Sequence, residues 1–171
     1  MQENSGMQLD SFFEDFEARF EAELEASRIP NALDSANLIR VVAKREGFVD
    51  LVACFLGLDF VAGMALGRND WQLIRFDAIA EMQFSELREV PIPKIRIFEL
   101  PVVEFLERLP LPLVIKMTTI DSTATRQLLL IELRGDCLIT QSSDAVNPIG
   151  IPAASIARIH IDSVENFGTD L

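Results

Sequence analysis

Residue types that do chemistry in proteins are thinly spread along this chain of 171 residues. His160 is the single histidine. In Ala157-Arg158-Ile159-His160-Ile161-Asp162, strand alternation places Arg158, His160 and Asp162 on the face opposite Ile159 and Ile161. A general base needs a nucleophile or a substrate pocket within hydrogen-bond reach, and the sequence marks neither, so His160 is expected at the surface. Cys54 and Cys137 stand far apart inside apolar stretches, with no C-x-x-C pair and no Cys/His zinc spacing. Buried free thiols in a reducing compartment are the expectation. Among many carboxylates, Asp59 and Asp70 alone have apolar surroundings, and turn positions account for both. No G-x-S-x-G, phosphate-binding loop or dinucleotide fingerprint occurs. The expectation is a chain without catalytic residues, bound metal or cofactor.

Charge narrows the classes further. There are 27 Asp+Glu against 15 Lys+Arg, a formal net charge of -12. Approach to nucleic acid or to an anionic membrane then works against long-range repulsion. Basic residues do cluster at Arg40, Lys44 and Arg45, and again at Lys94 with Arg96; pairing with local carboxylates is the first expectation for them. The opening residues, Met1-Gln-Glu-Asn-Ser-Gly-Met7-Gln, carry no basic or apolar region of a signal peptide. Leu51–Leu66 is apolar apart from Asp59 and two glycines, too interrupted for a span of about 18 or more apolar residues. Two buried strands explain it, and a soluble, cytoplasmic protein is expected.

The elements follow from periodicity. Leu9, Phe12, Phe13, Phe16, Phe20 and Leu24 recur in steps of three and four, which predicts an amphipathic helix ended by Pro30. Ser11 with Glu14 has the pattern of a capping box, with Asp10 as the alternative cap, and the opposite face is acidic. A second helix is expected over about Leu33–Lys44, with Leu38, Val41 and Val42 on its apolar side. After Gly47 the period shortens to that of strands. Strands are expected at Phe48–Leu56, Phe60–Leu66 and Trp71–Phe76, then a tight turn at Phe76–Ile79 and a strand at Ala80–Phe84. Val90–Phe98 alternates but contains prolines and reads as an extended connector or edge strand. A short helix at about Pro101–Arg108 precedes strands at Leu113–Thr118, Arg126–Leu133, Asp136–Thr140, Ile149–Ile151 and Ile156–Ile161.

The two halves resemble each other. Ile74-Arg-Phe-Asp-Ala-Ile79-Ala-Glu-Met82-Gln-Phe84 lies over Ile151-Pro-Ala-Ala-Ser-Ile156-Ala-Arg-Ile159-His-Ile161 with its apolar positions matched, and Asp70 is matched upstream with Asp136. Leu51-Val-Ala-Cys-Phe-Leu-Gly57-Leu-Asp-Phe-Val-Ala-Gly63-Met-Ala-Leu-Gly-Arg-Asn-Asp70 looks like the first Sm motif, while the Ile-Arg-Gly of the second motif is missing. The arrangement resembles SH3-like and Sm-like small barrels. As a whole, the layout is similar to a family of uncharacterised actinobacterial proteins sometimes labelled transcriptional regulators. The resemblance implies an α+β fold, with N-terminal helices and two small, mostly antiparallel barrels. Its units would be an acidic helix over 1–30, a helix-plus-barrel unit over 31–88, a connector over 89–100 and a second unit over 101–171.

The function expected from these features is a non-enzymatic interaction or scaffold module that binds a protein partner or itself. Its surfaces would be the stripe of Phe12, Phe16, Phe20 and Leu24, exposed sheet edges, and Trp71 as an aromatic anchor. Core packing is the competing explanation for both the stripe and Trp71. The alternative function is a nucleic-acid-associated regulator that contacts phosphates through Arg40, Lys44 and Arg45.

Overall fold

A computed structural model describes residues 35–68, 70–88, 91–97 and 99–162. The expected N-terminal helix with Phe12, Phe16, Phe20 and Leu24 lies outside the described residues. The first half contains β1 (Leu38–Ala43), β2 (Phe48–Leu56), β3 (Phe60–Ala65), β4 (Asp70–Arg75) and β5 (Ile79–Ser85), with a 3₁₀ turn at Phe76–Ala78 between the last two. A two-residue strand, β6 (Arg96–Ile97), and the helix α1 (Val102–Glu107) follow. The second half contains β7 (Leu113–Thr119), β8 (Ser122–Arg134), β9 (Cys137–Gln141), β10 (Ile149–Pro152) and β11 (Ile156–Asp162), with a 3₁₀ turn at Ala153–Ser155 before β11.

These strands make one open sheet of 11 strands in the order β10-β9-β8-β7-β11-β4-β3-β2-β1-β5, with β6 beside β2. All pairings are antiparallel except β2 with β6. Among the described residues, the expected α+β fold with two small barrels is therefore corrected to a nearly all-antiparallel sheet with one short helix. The physical reason is how the fourth strands end their ladders. In each half the fifth strand returns to the first, β5 onto β1 and β11 onto β7. The outer side of β4 is then paired by β11 from the other half, which continues the sheet across the chain and leaves β5 and β10 as its two ends.

The expected helix over about Leu33–Lys44 is also corrected, because Leu38–Ala43 is a strand. Leu38, Val41 and Val42 fit a helical spacing, but Ile39, Val41 and Val42 are β-branched and favour a pleated surface. Partners β2 and β5 on its two sides satisfy the backbone of β1, and Ile39 and Val41 are fully buried.

The larger apolar cluster draws on both halves. Phe55, Phe60 and Leu73 meet Phe105 and Leu106 of α1 and Ile115, Met117, Leu130 and Ile159 of the second half. Phe105 stands 5.1 Å from the Phe60 ring and 6.4 Å from that of Phe55. A smaller cluster of Ile39, Val41, Leu51, Cys54, Val61 and Ile74 belongs to the first half.

Candidate functional site

The joint between β4 and β11 gathers most of the residues with chemical interest. Arg158 lies opposite Ile74, His160 opposite Gln72, Ile161 opposite Trp71 and Asp162 opposite Asp70. Trp71 is partly buried on the larger cluster, its ring 5.9 Å from that of Phe55. On the other face His160 Nδ1 sits 3.4 Å from Asp70 Oδ2, and Gln72 Nε2 donates to the same oxygen at 3.1 Å. Lys116 of β7 pairs with Asp162 at 2.6 Å. His160 is thus half-buried in a cross-strand polar row, and burial holds its imidazole below the ordinary value against the opposing pull of Asp70. The neutral ring is favoured here.

Asp70 and Asp59 do different work. Asp70 opens β4 and joins that polar row, so the expected turn role is corrected for it. Asp59 does lie in the turn before β3. Its Oδ1 accepts the Val102 N–H at 2.8 Å, and its Oδ2 faces Arg75 Nη2 at 3.4 Å. Topology also changes the upstream match: Asp136 directly precedes β9, as Asp59 directly precedes β3, whereas Asp70 begins a fourth strand. The backbone bonds Phe76 N to Asp59 O and Ala153 N to Asp136 O occupy corresponding places.

Beside the joint lies a cleft of about 260 Å³. Lys44, Arg45 and Glu46 of the β1–β2 turn face Thr118 and Ser122 across it, with Ile74 and Arg158 also in its wall. Arg158 Nη1 is 3.0 Å from Glu46 Oε2, and burial pulls the Arg158 guanidinium below its ordinary value. Thr118 is buried, and its hydroxyl has no hydrogen-bond partner among the described residues. The recess mixes apolar and polar side chains, and its Arg158 guanidinium is already opposed by the Glu46 carboxylate.

The basic trio is split. Arg40 is on a strand and grips Asp50 with two hydrogen bonds, Nε to Oδ1 at 2.7 Å and Nη2 to Oδ2 at 2.8 Å. Its guanidinium also lies 4.5 Å from the centre of the Phe48 ring, and the pairing holds Asp50 below the usual carboxylate range. Lys44 and Arg45 border the cleft instead. Cys54 is buried in the smaller cluster, and desolvation pushes its thiol up to about 12. Cys137 is partly exposed, and both cysteines are free. Among the described residues no group of three or more His, Cys, Asp and Glu is arranged to hold a metal ion.

The two ends of the sheet complete the candidate surfaces, and sequence reasoning placed neither end. β5 is exposed along most of its length, with Phe84 38% exposed, while Ile161, which matches it on β11, is 4% exposed. At the other end β10 is preceded by Val146, exposed to 92%. The sequence signal was present in the Ile74–Phe84 and Ile151–Ile161 match, but which copy of the pattern is covered depends on strand order. No helix among the described residues is long and apolar enough to cross a membrane. No family model, curated protein or solved structure matches the chain.

Proposed function

We propose that this chain is a non-enzymatic protein-interaction module that docks a partner strand on the free edge of β5. One observation carries the reading. The fifth strand of the second half is buried and paired by β4 on its outer edge, whereas among the described residues the corresponding β5 keeps that edge unpaired, with Phe84 exposed beside it. An exposed strand edge is a template for pairing, and strand addition draws affinity from main-chain bonds and specificity from alternate side chains. A benzophenone side chain introduced at position 84 in cells tests it, with exposed Arg126 of β8 as the control position. Discrete protein adducts are expected from position 84 and not from 126. The absence of adducts at 84 would overturn the reading.

The rival reading is nucleic-acid association, favoured by Lys44 and Arg45 standing beside Arg158 at the cleft. It requires binding that weakens as salt rises and that is lost in the Lys44→Glu, Arg45→Glu double variant. Binding to mixed oligonucleotides at low salt, measured by anisotropy, decides it.

A further inference from the structure

The partner strand can be read from the joint that the chain already makes with itself. Strands β1–β5 and β7–β11 are wired alike: the fifth strand returns to the first, through a 3₁₀ turn after the fourth. Both returns carry a register shift next to that turn. Both are also tied by the same backbone bond, Lys44 N to Ala78 O in one half and Ile120 N to Ser155 O in the other, each 2.9 Å. Between the halves, the fourth strand of the first pairs with the fifth strand of the second. Among the described residues, what remains unpaired at the sheet ends is the outer edge of the fifth strand of the first half, β5, and of the fourth strand of the second, β10. These are the two kinds of edge that meet inside the chain. We infer that β5 of one molecule pairs with β10 of a second copy in the register of the β4–β11 joint, so that copies associate head to tail.

The inference rests on the reading of β5 as a docking edge, and it adds the occupant and the register. Carrying the internal pairs across puts Met82 opposite Gly150, Gln83 opposite Ile149 and Phe84 opposite Pro148, as Ile159, His160 and Ile161 lie opposite Leu73, Gln72 and Trp71. Backbone direction is consistent with this. Ala153 N bonds Asp136 O, so by antiparallel alternation Ile149 and Ile151 face β9, and Pro148, Gly150 and Pro152 face outward. The outward edge of β10 then offers three carbonyls and a single N–H, from Gly150, because proline has no donor. A general strand is poorly served by such an edge. On β5, the alternation that turns Ile159 and Ile161 toward β4 turns Met82 and Phe84 outward, and their N–H groups meet the carbonyls of Gly150 and Pro148. The exposed apolar residues Phe84 and Val146 would be brought close together by the same register. A contact of this kind joins two different surfaces, so it repeats into a ring or a fibre.

Cross-linking of the full-length chain tests the register. One preparation carries Gln83→Cys and the other Ile149→Cys. The two positions form a non-hydrogen-bonded pair with Cα atoms about 4.5 Å apart, within the span of a disulfide at about 4.4–6.8 Å. Mild oxidation of the mixture should give a disulfide joining the two preparations, and Gln83→Cys mixed with Asp144→Cys should not. Because Ile149 is partly buried, a second variant at an exposed site guards against misfolding. Phe84→Lys should raise the dissociation constant of self-association, followed by sedimentation across a concentration series, about tenfold or more. A monomer at all concentrations with no 83–149 product would overturn the inference, as would equal cross-linking of the control pair. If position 84 nevertheless captures a different protein in cells, the docking edge stands and self-pairing falls. If it captures nothing, both fall.

Discussion

A carboxylate that accepts a backbone N–H with one oxygen and faces a guanidinium with the other ties two elements together at once. Asp59 does this for the start of α1 through Val102 and for the end of β4 through Arg75. Its replacement by alanine leaves the Val102 N–H without its acceptor and Arg75 with one carboxylate fewer, so Asp59→Ala should destabilise the fold by about 1–3 kcal/mol. Asp59→Asn keeps an acceptor for Val102 and should cost less; urea melts of the two variants give the comparison. His160 supplies a pH dependence whose sign is fixed by burial. Its pKa is lowered in the folded protein relative to the ordinary 6.5, so the unfolded chain binds the proton more readily. The stability this contributes is fully present above about pH 6.5 and is lost as pH falls through the folded value, with a slope of at most about 1.4 kcal/mol per pH unit. Wild type should weaken as pH falls below about 7, and His160→Gln should show a flatter profile in the same melts. The alternation of Arg158, His160 and Asp162 against Ile159 and Ile161 was legible from sequence because it needs only a strand. The Asp70 partner was not, since it arrives from a strand far away in the chain.

At the scale of elements, glycine placement separates local signal from packing. Gly63-Met-Ala-Leu-Gly67 has the spacing of a membrane helix dimer, yet Gly63 lies within β3. A Cβ there would meet the Val52 carbonyl oxygen at 2.9 Å, Cys54 Sγ at 3.1 Å and Leu51 Cβ at 3.2 Å. The first of these is backbone and cannot swing away, so Gly63→Ala should force β2 and β3 apart and cost about 1–3 kcal/mol in thermal melts. Period-two alternation and turn residues located most strands well: Phe48–Leu56 spans the expected residues, and the tight turn after Arg75 is a 3₁₀ turn. The failure at Leu38–Ala43 has a specific cause. A short run with apolar residues at i, i+3 and i+4 fits a strand buried on both faces as well as a helix, and here two flanking strands decide the outcome. Nothing in Leu38-Ile-Arg-Val-Val-Ala43 names those partners.

Over the whole molecule, the halves are joined by a ladder and by shared packing. β4–β11 pairing runs through Trp71, Leu73, Ile159 and Ile161, and the larger cluster mixes Phe55 and Phe60 with Leu130, Ile156 and α1. The sequence match between the halves suggested two small barrels, because it reports how each half is wired and carries no information on which edge of one half meets which of the other. Unfolding should therefore be a single event. If the halves were independent, a cavity in one core would lower the protection of that half alone. Phe105 of α1 is buried and contacts the rings of Phe55 and Phe60, so Phe105→Ala should cost about 3–5 kcal/mol. Hydrogen exchange read strand by strand tests the coupling. Amides of β2 and β3 in the first half and of β7 and β8 in the second should lose protection together and by the same amount. Loss confined to the strands of one half would mean that the joint is a contact between two separately stable sheets, and the β4–β11 ladder would then be separable without unfolding either half.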